Sequence, residues 1–158
     1  MVVVSSGDPG VFAMAAAVFE AVESGPQHWR RLQIDVLPGI TAMLAAAARV
    51  GAPLGHDFCA INLSDNLKPR SKARPDGFAR VLKVLNDACQ DNRPVIFARA
   101  VSTPDEAIRI VPLPEATPEM ADMRTMVLVG TSATRLIARD DVPFVYTPRS
   151  VPARSGFE

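Results

Sequence analysis

The residues best suited to bind a ligand lie near the start of the chain, in the run Ser6-Gly7-Asp8-Pro9-Gly10. The pattern predicts a buried strand before this turn and an amphipathic helix from residue 9 to about residue 23 after it. Asp8 has the chemistry of a helix N-cap, and Pro9 suits the first helical position because its missing N–H costs nothing there. Gly7 and Gly10 leave bare backbone for a ligand. Such turns bind ligands in open α/β sheets, but an ordinary strand–helix connection explains this turn alone at least as well.

A second turn of the same kind occurs at residues 38–42, where an alternating strand pattern gives way to an alanine-rich helix that ends near residue 50. Thr41 and Ala42 stand at the start of that helix. Helix starts that follow strand ends present backbone N–H groups, and here a hydroxyl, to a common ligand. The second turn therefore favours a ligand site over a plain connection.

Composition and charge narrow the function classes. The 158 residues are 48% hydrophobic, enough for a sizeable core, and 17 basic residues balance 17 acidic ones. Nucleic-acid binding would need a basic stripe, which the sequence lacks. No apolar stretch approaches the roughly 20 residues of a membrane span, and Met1 leads into the first predicted strand without a basic leader. We expect a cytoplasmic protein with no nucleic-acid or membrane partner.

The two cysteines, Cys59 and Cys89, lie singly inside a predicted strand and a predicted helix. This placement favours buried, reduced thiols over a disulfide or a metal site. We therefore expect no metal.

The apolar patterns predict an α/β protein in two blocks, with a boundary near residues 52–56. An antiparallel hairpin is expected between two strands of the second block. Strands are predicted at residues 2–5, 32–37, 58–63, 94–98, 108–113 and 125–129, with an edge strand at 144–147, and helices at residues 9–23, 40–50 and 76–89.

Several phrases of the chain resemble one enzyme family. SSGDPGVF, LPGITAMLAAAARVGAPLGHDFCAINLSD and ARAVSTPDEAIRIVPL look like the tetrapyrrole (corrin and sirohaem) methyltransferases that use S-adenosylmethionine. GAPLGHDF, LSDNLKP and SKARP are most similar to the precorrin-3B C17-methyltransferase branch of cobalamin biosynthesis. The motif GDPG alone is weak, but its spacing from PGITA, GAPLGHDF and LSD is specific.

The resemblance implies a fold of two α/β domains, each with a mixed sheet, and a ligand cleft between them. Residues 1–53 would be the C-terminal half of the first domain, and residues 54–158 would be most of the second. The implied reaction moves the methyl of S-adenosylmethionine to C17 of precorrin-3B with contraction of the ring, and it leaves S-adenosylhomocysteine. Members of this family form homodimers, so the resemblance also implies a homodimer here.

The resemblance also implies which residues touch the cofactor. Two groups match the turns described above, and a third matches a later turn of the family. The cofactor contacts implied are Ser6, Gly7, Asp8, Val11, Thr41, Ala42, Ala100 and Val101. Asp8 is the candidate catalytic residue because it could steady the sulfonium or accept a proton, although a simple N-cap role is an equal alternative.

Two departures from the family pattern concern completeness. The family has a strand and a Gly-Pro-Gly turn upstream of GDPG, and it has a strand and a helix where Pro69 here runs directly into Arg70. The sequence either omits segments of a longer molecule or belongs to a truncated protein. The alternatives are therefore another corrin C-methyltransferase, or a non-catalytic fragment or binding subunit of this fold. A nucleotide-binding protein is disfavoured because the phosphate-loop and dinucleotide glycine motifs are absent.

Overall fold

The computed structural model describes residues 1–63 and 74–149. It divides into two units, Met1–Ala45 and Ala46–Glu158. The junction between Pro69 and Arg70, where the sequence predicts a missing segment, lies outside the described residues. The domain bounds of 1–53 and 54–158 remain a prediction.

The first unit is built from a helix, a short 3₁₀ helix and the start of a second helix. Helix α1 spans Met14–Ser24, the 3₁₀ helix spans Gln27–Arg31, and helix α2 spans Ala42–Val50, across the division between the units. Helix α2 confirms the helix predicted at residues 40–50.

The predicted start of α1 at Pro9 is wrong, and so is the N-cap role of Asp8. The residue before the helix is Ala13, and no side chain caps it. Phe12 has a φ of 52°, in the left-handed region, which a right-handed helix cannot include. The Asp8 carboxylate accepts hydrogen bonds from the two glycine turns instead.

Three predicted strands, at residues 2–5, 32–37 and 58–63, are not formed. Val2, Val3 and Val4 are 84%, 54% and 86% exposed, so the expected buried strand is wrong in this structure. A strand persists only where a neighbour pairs with its N–H and C=O groups. No strand of the described residues pairs with these three segments.

The second unit contains an antiparallel sheet that confirms the prediction for this part of the chain. Its strands are β2 (Pro94–Arg99), β3 (Ala107–Pro112) and β4 (Thr125–Val129), in the order β3-β2-β4. The central strand β2 reads as a nearly continuous apolar run because it is buried along its length. In the register, Ile96 lies opposite Ile110 on one side and Leu128 on the other.

Helix α3, Arg74–Ala88, packs on this sheet through one apolar face, as the pattern for residues 76–89 predicts. The rings of Phe78 and Phe97 meet edge to face with centroids 6.1 Å apart. The buried core cluster consists of Leu82, Val95, Phe97, Val111, Leu113 and Ala116.

A smaller mixed sheet completes the second unit. Strand β1 (Gly51–Ala52) runs parallel to β6 (Phe144–Tyr146), which pairs antiparallel with β5 (Arg135–Ile137). The prediction of an edge strand near residues 144–147 is wrong, because β6 is the centre of this sheet. Its second neighbour, β1, comes from a segment predicted as a helix end and linker.

The exposure of each cysteine depends on whether the element predicted around it is formed. Both are free thiols. Cys59 is exposed because the strand expected around it is absent, whereas Cys89 is half-buried beside the core cluster. The expectation of a buried thiol is therefore wrong for Cys59. Among the residues that the structure describes, no helix has the length and apolar character to cross a membrane.

Candidate functional site

Two glycine turns meet in the first unit, and the carboxylate of Asp8 joins them. Its Oδ1 accepts a hydrogen bond from the Gly10 N–H at 2.8 Å, and its Oδ2 accepts one from the Gly39 N–H at 3.1 Å. The Val11 N–H also donates to the Asp8 carbonyl at 3.2 Å. One side chain thus fixes the shape of the first turn and its distance from the second.

The backbones of the two turns also touch directly. Gly7 has a φ of 76°, which favours glycine. A Cβ atom placed on Gly39 would overlap the Gly7 carbonyl oxygen and lie 3.0 Å from the Gly7 carbonyl carbon. We call this contact, together with the Asp8 bonds, the clasp. The clasp requires glycine at position 39.

Thr41 follows the clasp and directly precedes α2. It is 8% exposed, its Oγ1 accepts a hydrogen bond from the Leu44 N–H at 3.1 Å, and its carbonyl accepts one from the Ala45 N–H at 2.9 Å. This is an N-cap, which uses the acceptor side of the hydroxyl. The O–H of Thr41 can still donate to a ligand.

The structure brings together only some of the predicted site residues. Gly7, Asp8 and Thr41 lie around the clasp, and the Cβ position of Gly7 is 3.8 Å from the Thr41 Cα. The other three contacts predicted in this unit occupy exposed positions on the same two turns: Ser6, Val11 and Ala42. Gly39 lies within the motif PGITA, where a glycine between a proline and a helix start signals a close backbone contact.

Ala100 and Val101 belong to the second unit, in the connection between β2 and β3. Ala100 and Ser102 both have positive φ values, 47° and 65°. The Ala100 N–H donates to the Arg124 carbonyl at 2.9 Å, and the Thr103 N–H donates to the Ala100 carbonyl at 3.2 Å. The segment is therefore a tightly bonded turn with left-handed residues on both sides of Val101, a feature that local sequence did not reveal.

An acidic residue next to this turn has a strongly altered pKa. Three groups donate to the Asp122 carboxylate: the Thr125 hydroxyl at 2.7 Å, the Arg99 guanidinium at 2.7 Å and the Arg124 N–H at 2.9 Å. Donors stabilise the charged form of a carboxyl. They lower the pKa of Asp122 from 3.8 to about 2.

This shift predicts a pH dependence of stability. A carboxyl with a lower pKa in the folded state stabilises the fold above its unfolded pKa, and the contribution is lost as pH falls through the folded pKa. For Asp122 the loss runs from about pH 4 down to about 2, the two values between which its pKa moves. We expect urea unfolding to show Asp122→Asn less stable than wild type at about pH 6, with the difference shrinking as pH falls through that window. A pH-independent difference would contradict the assignment.

The family of this chain follows from its similarity to known proteins. The tetrapyrrole (corrin/porphyrin) methylases match residues 1–117. The chain belongs to this family. It is 49% identical to a precorrin-3B C(17)-methyltransferase of Sinorhizobium over 92% of this chain and 67% of that protein. It is 41% identical to the cobalamin biosynthesis protein CobIJ of Mycobacterium tuberculosis over 95% of this chain and 34% of that protein.

Solved structures confirm the tetrapyrrole methylase fold. The structure of the methyltransferase CobJ superposes with a TM-score of 0.81 at 57% identity, over 91% of this chain and 68% of that chain. A cobalt precorrin-4 methyltransferase, CbiF, superposes with a TM-score of 0.54 at 19% identity and so shares the fold.

The chain spans about two thirds of the length of the Sinorhizobium protein. That alignment is 170 residues long, whereas the whole chain has 158. The alignment therefore contains positions at which the relative has residues and this chain has none.

Proposed function

We propose that this chain transfers the methyl group of S-adenosylmethionine to C17 of precorrin-3B, with contraction of the corrin ring, in cobalamin biosynthesis. The identity of 49% to a protein named for that reaction supports the substrate. The clasp supports the proposal that the cofactor is S-adenosylmethionine. It is the observation that carries the proposal, because it holds two glycine turns of the kind that admit a ligand close to backbone.

The residues around the clasp fit a cofactor with a polar, charged end. The turns expose backbone at Gly7 and Gly10, Thr41 can donate its O–H, and Asp8 supplies a fixed negative charge. When bound, S-adenosylmethionine supplies an electrophilic methyl on a sulfonium. We propose Ser6, Gly7, Asp8, Val11, Thr41, Ala42, Ala100 and Val101 as its contacts.

No nucleophilic side chain is needed, because the electron-rich macrocycle is the nucleophile. The work of the protein is to align the two reacting carbons and to exclude water. The hydrogen bonds from Gly10 and Gly39 hold the Asp8 carboxylate in one orientation. We propose that Asp8 keeps the turns in register and faces the sulfonium. The alternative role for Asp8 is to accept a proton.

A non-catalytic role is the second candidate, and two observations favour it. The alignment to the Sinorhizobium protein contains positions that this chain lacks, and the apolar residues 2–4 are exposed. In this second role the chain would be a non-catalytic fragment or a binding subunit of this fold. We further propose that the protein works in the cytoplasm as a homodimer, as its family resemblance implies.

Titration with S-adenosylhomocysteine tests the enzyme proposal. By mass action, a tenfold excess over the dissociation constant should stabilise the protein by about 1.4 kcal/mol. We expect that stabilisation in calorimetry, and a new methyl at C17 when precorrin-3B and S-adenosylmethionine are supplied. Binding without methyl transfer would favour the non-catalytic role, and absence of both would overturn the cofactor proposal.

Asp8→Ala is the matched variant in the same assay. It removes the acceptor for two backbone N–H groups, so cofactor affinity should fall by about tenfold, the effect of roughly one to two lost hydrogen bonds. Ser24→Ala is the control, because the Ser24 hydroxyl donates only to the Glu20 carbonyl within α1. Equal affinities in the two variants would remove Asp8 from the site.

A further inference from the structure

We propose that Glu106 is a positioning residue that holds the turn around Val101 in the conformation that contacts the cofactor. The inference rests on the proposed function, in which Ala100 and Val101 touch S-adenosylmethionine.

The strain lies at Ala100 and Ser102, which flank Val101. Both are left-handed, with φ values of 47° and 65°, and neither is glycine. A side chain with a Cβ disfavours this region, so each residue must be held there by its surroundings. Such residues concentrate at ligand-binding sites, where a fixed backbone shape is useful.

Glu106 provides the restraint at Ser102. Its Oε2 accepts a hydrogen bond from the Ser102 N–H at 2.8 Å, and its Oε1 accepts one from the Arg49 Nε at 2.6 Å. The backbone donor and the guanidinium both lower the pKa of Glu106. One carboxylate oxygen of Glu106 therefore binds the turn, and the other binds the Arg49 guanidinium, which orients the carboxylate. The Glu106 side chain is only 20% exposed.

The other side of Val101 is restrained by the chain itself. The Thr103 hydroxyl donates to the Ala100 carbonyl at 2.8 Å, and the Ala100 N–H donates to Arg124 at 2.9 Å. These bonds are independent of Glu106. Loss of Glu106 should therefore loosen Ser102 while the turn stays attached at Ala100.

The test measures S-adenosylhomocysteine affinity by calorimetry and exchange of the Ser102 amide hydrogen on the same proteins. Glu106→Ala should weaken binding about tenfold, since the turn must then be ordered at the expense of binding energy. Its Ser102 amide should exchange faster than in wild type. Glu106→Gln keeps an acceptor oxygen and should bind within about threefold of wild type.

A double variant separates positioning from general stability. Adding Ser102→Gly to Glu106→Ala should recover most of the lost affinity, because glycine adopts positive φ without a Cβ penalty. If the loss came only from the broken pair between Glu106 and Arg49, Ser102→Gly would not restore the affinity, because that pair would still be missing. The control is Asp91→Ala, which removes a different ion-paired carboxylate, the one bound to Arg93, and should leave the affinity unchanged.

Each outcome decides one question. Wild-type binding with unchanged affinity in Glu106→Ala, or an equal loss in Asp91→Ala, would overturn the positioning role and leave the proposed function intact. Failure of wild type to bind would overturn the proposed function and with it any role in cofactor binding. Ser102 exchange would still show whether Glu106 holds the turn, and unchanged exchange in Glu106→Ala would overturn that as well.

Discussion

Gly39→Ala should abolish cofactor binding, or weaken it by at least about a hundredfold, while most of the second unit stays folded. The added Cβ would overlap the Gly7 carbonyl oxygen, and backbone cannot rotate away as a flexible side chain can. The distance between the two glycine turns would increase, and the hydrogen bond from the Gly39 N–H to the Asp8 carboxylate would be lost. A hundredfold loss of affinity is about 2.7 kcal/mol, which corresponds to roughly two or three hydrogen bonds between the turns and the cofactor. The measurement is calorimetric titration with S-adenosylhomocysteine, with circular dichroism as the check on folding.

Gly77→Ala is the matched control for this substitution. A Cβ at Gly77, within α3, meets no atom within 4 Å. Alanine in a helix is favoured over glycine, so this variant should be neutral or stabilised by up to about 1 kcal/mol. Wild-type affinity in Gly39→Ala would show that the clasp does not shape the site.

Leu113→Ala should cause the largest loss of stability. Leu113 is fully buried, in the cluster that α3 and the β3-β2-β4 sheet share. Truncating a buried leucine costs about 2–5 kcal/mol, because apolar contacts are lost and a cavity remains. At roughly 2–4 °C per kcal/mol for a chain of this size, thermal unfolding of the second unit should move down by about 10 °C.

Leu136→Ala is the control for the core substitution. Leu136 lies on β5 and is 47% exposed, so its truncation should change stability by no more than about 0.5 kcal/mol. Equal losses in the two variants would mean that the Leu113 cluster is not the main core of this unit.

The sequence could predict elements whose partners lie in the described chain. Strand β2 is a continuous apolar run, and β3 and β4 pair with it, so pattern and structure agree. The predicted strands at residues 2–5 and 32–37 have patterns that are equally typical of strands, an apolar run in the first and an alternation in the second. They fail because strand formation depends on a neighbour, and the pattern of one segment does not show whether a neighbour exists.

The site was predictable in part for a similar reason. The resemblance predicted Gly7, Asp8 and Thr41 as cofactor contacts, and the structure places these three residues together, while their contact with the cofactor stays a prediction. It did not show that Asp8 binds Gly39 rather than capping a helix, because that bond spans 31 positions. The residue pattern also does not indicate that the backbone of Ser102 adopts a left-handed conformation. That conformation depends on a carboxylate four positions later in the chain.

The clasp makes the segment between its two turns a closed loop. The Asp8–Gly39 bond fastens together chain positions 31 apart, and α1 lies inside the closure. The entropy of closing a flexible loop grows slowly, by only about 0.6 kcal/mol for each doubling of its length. A change in the length of the segment between the turns therefore costs little closure entropy. A change at Gly7 or Gly39, by contrast, disturbs the backbone contact of the clasp itself.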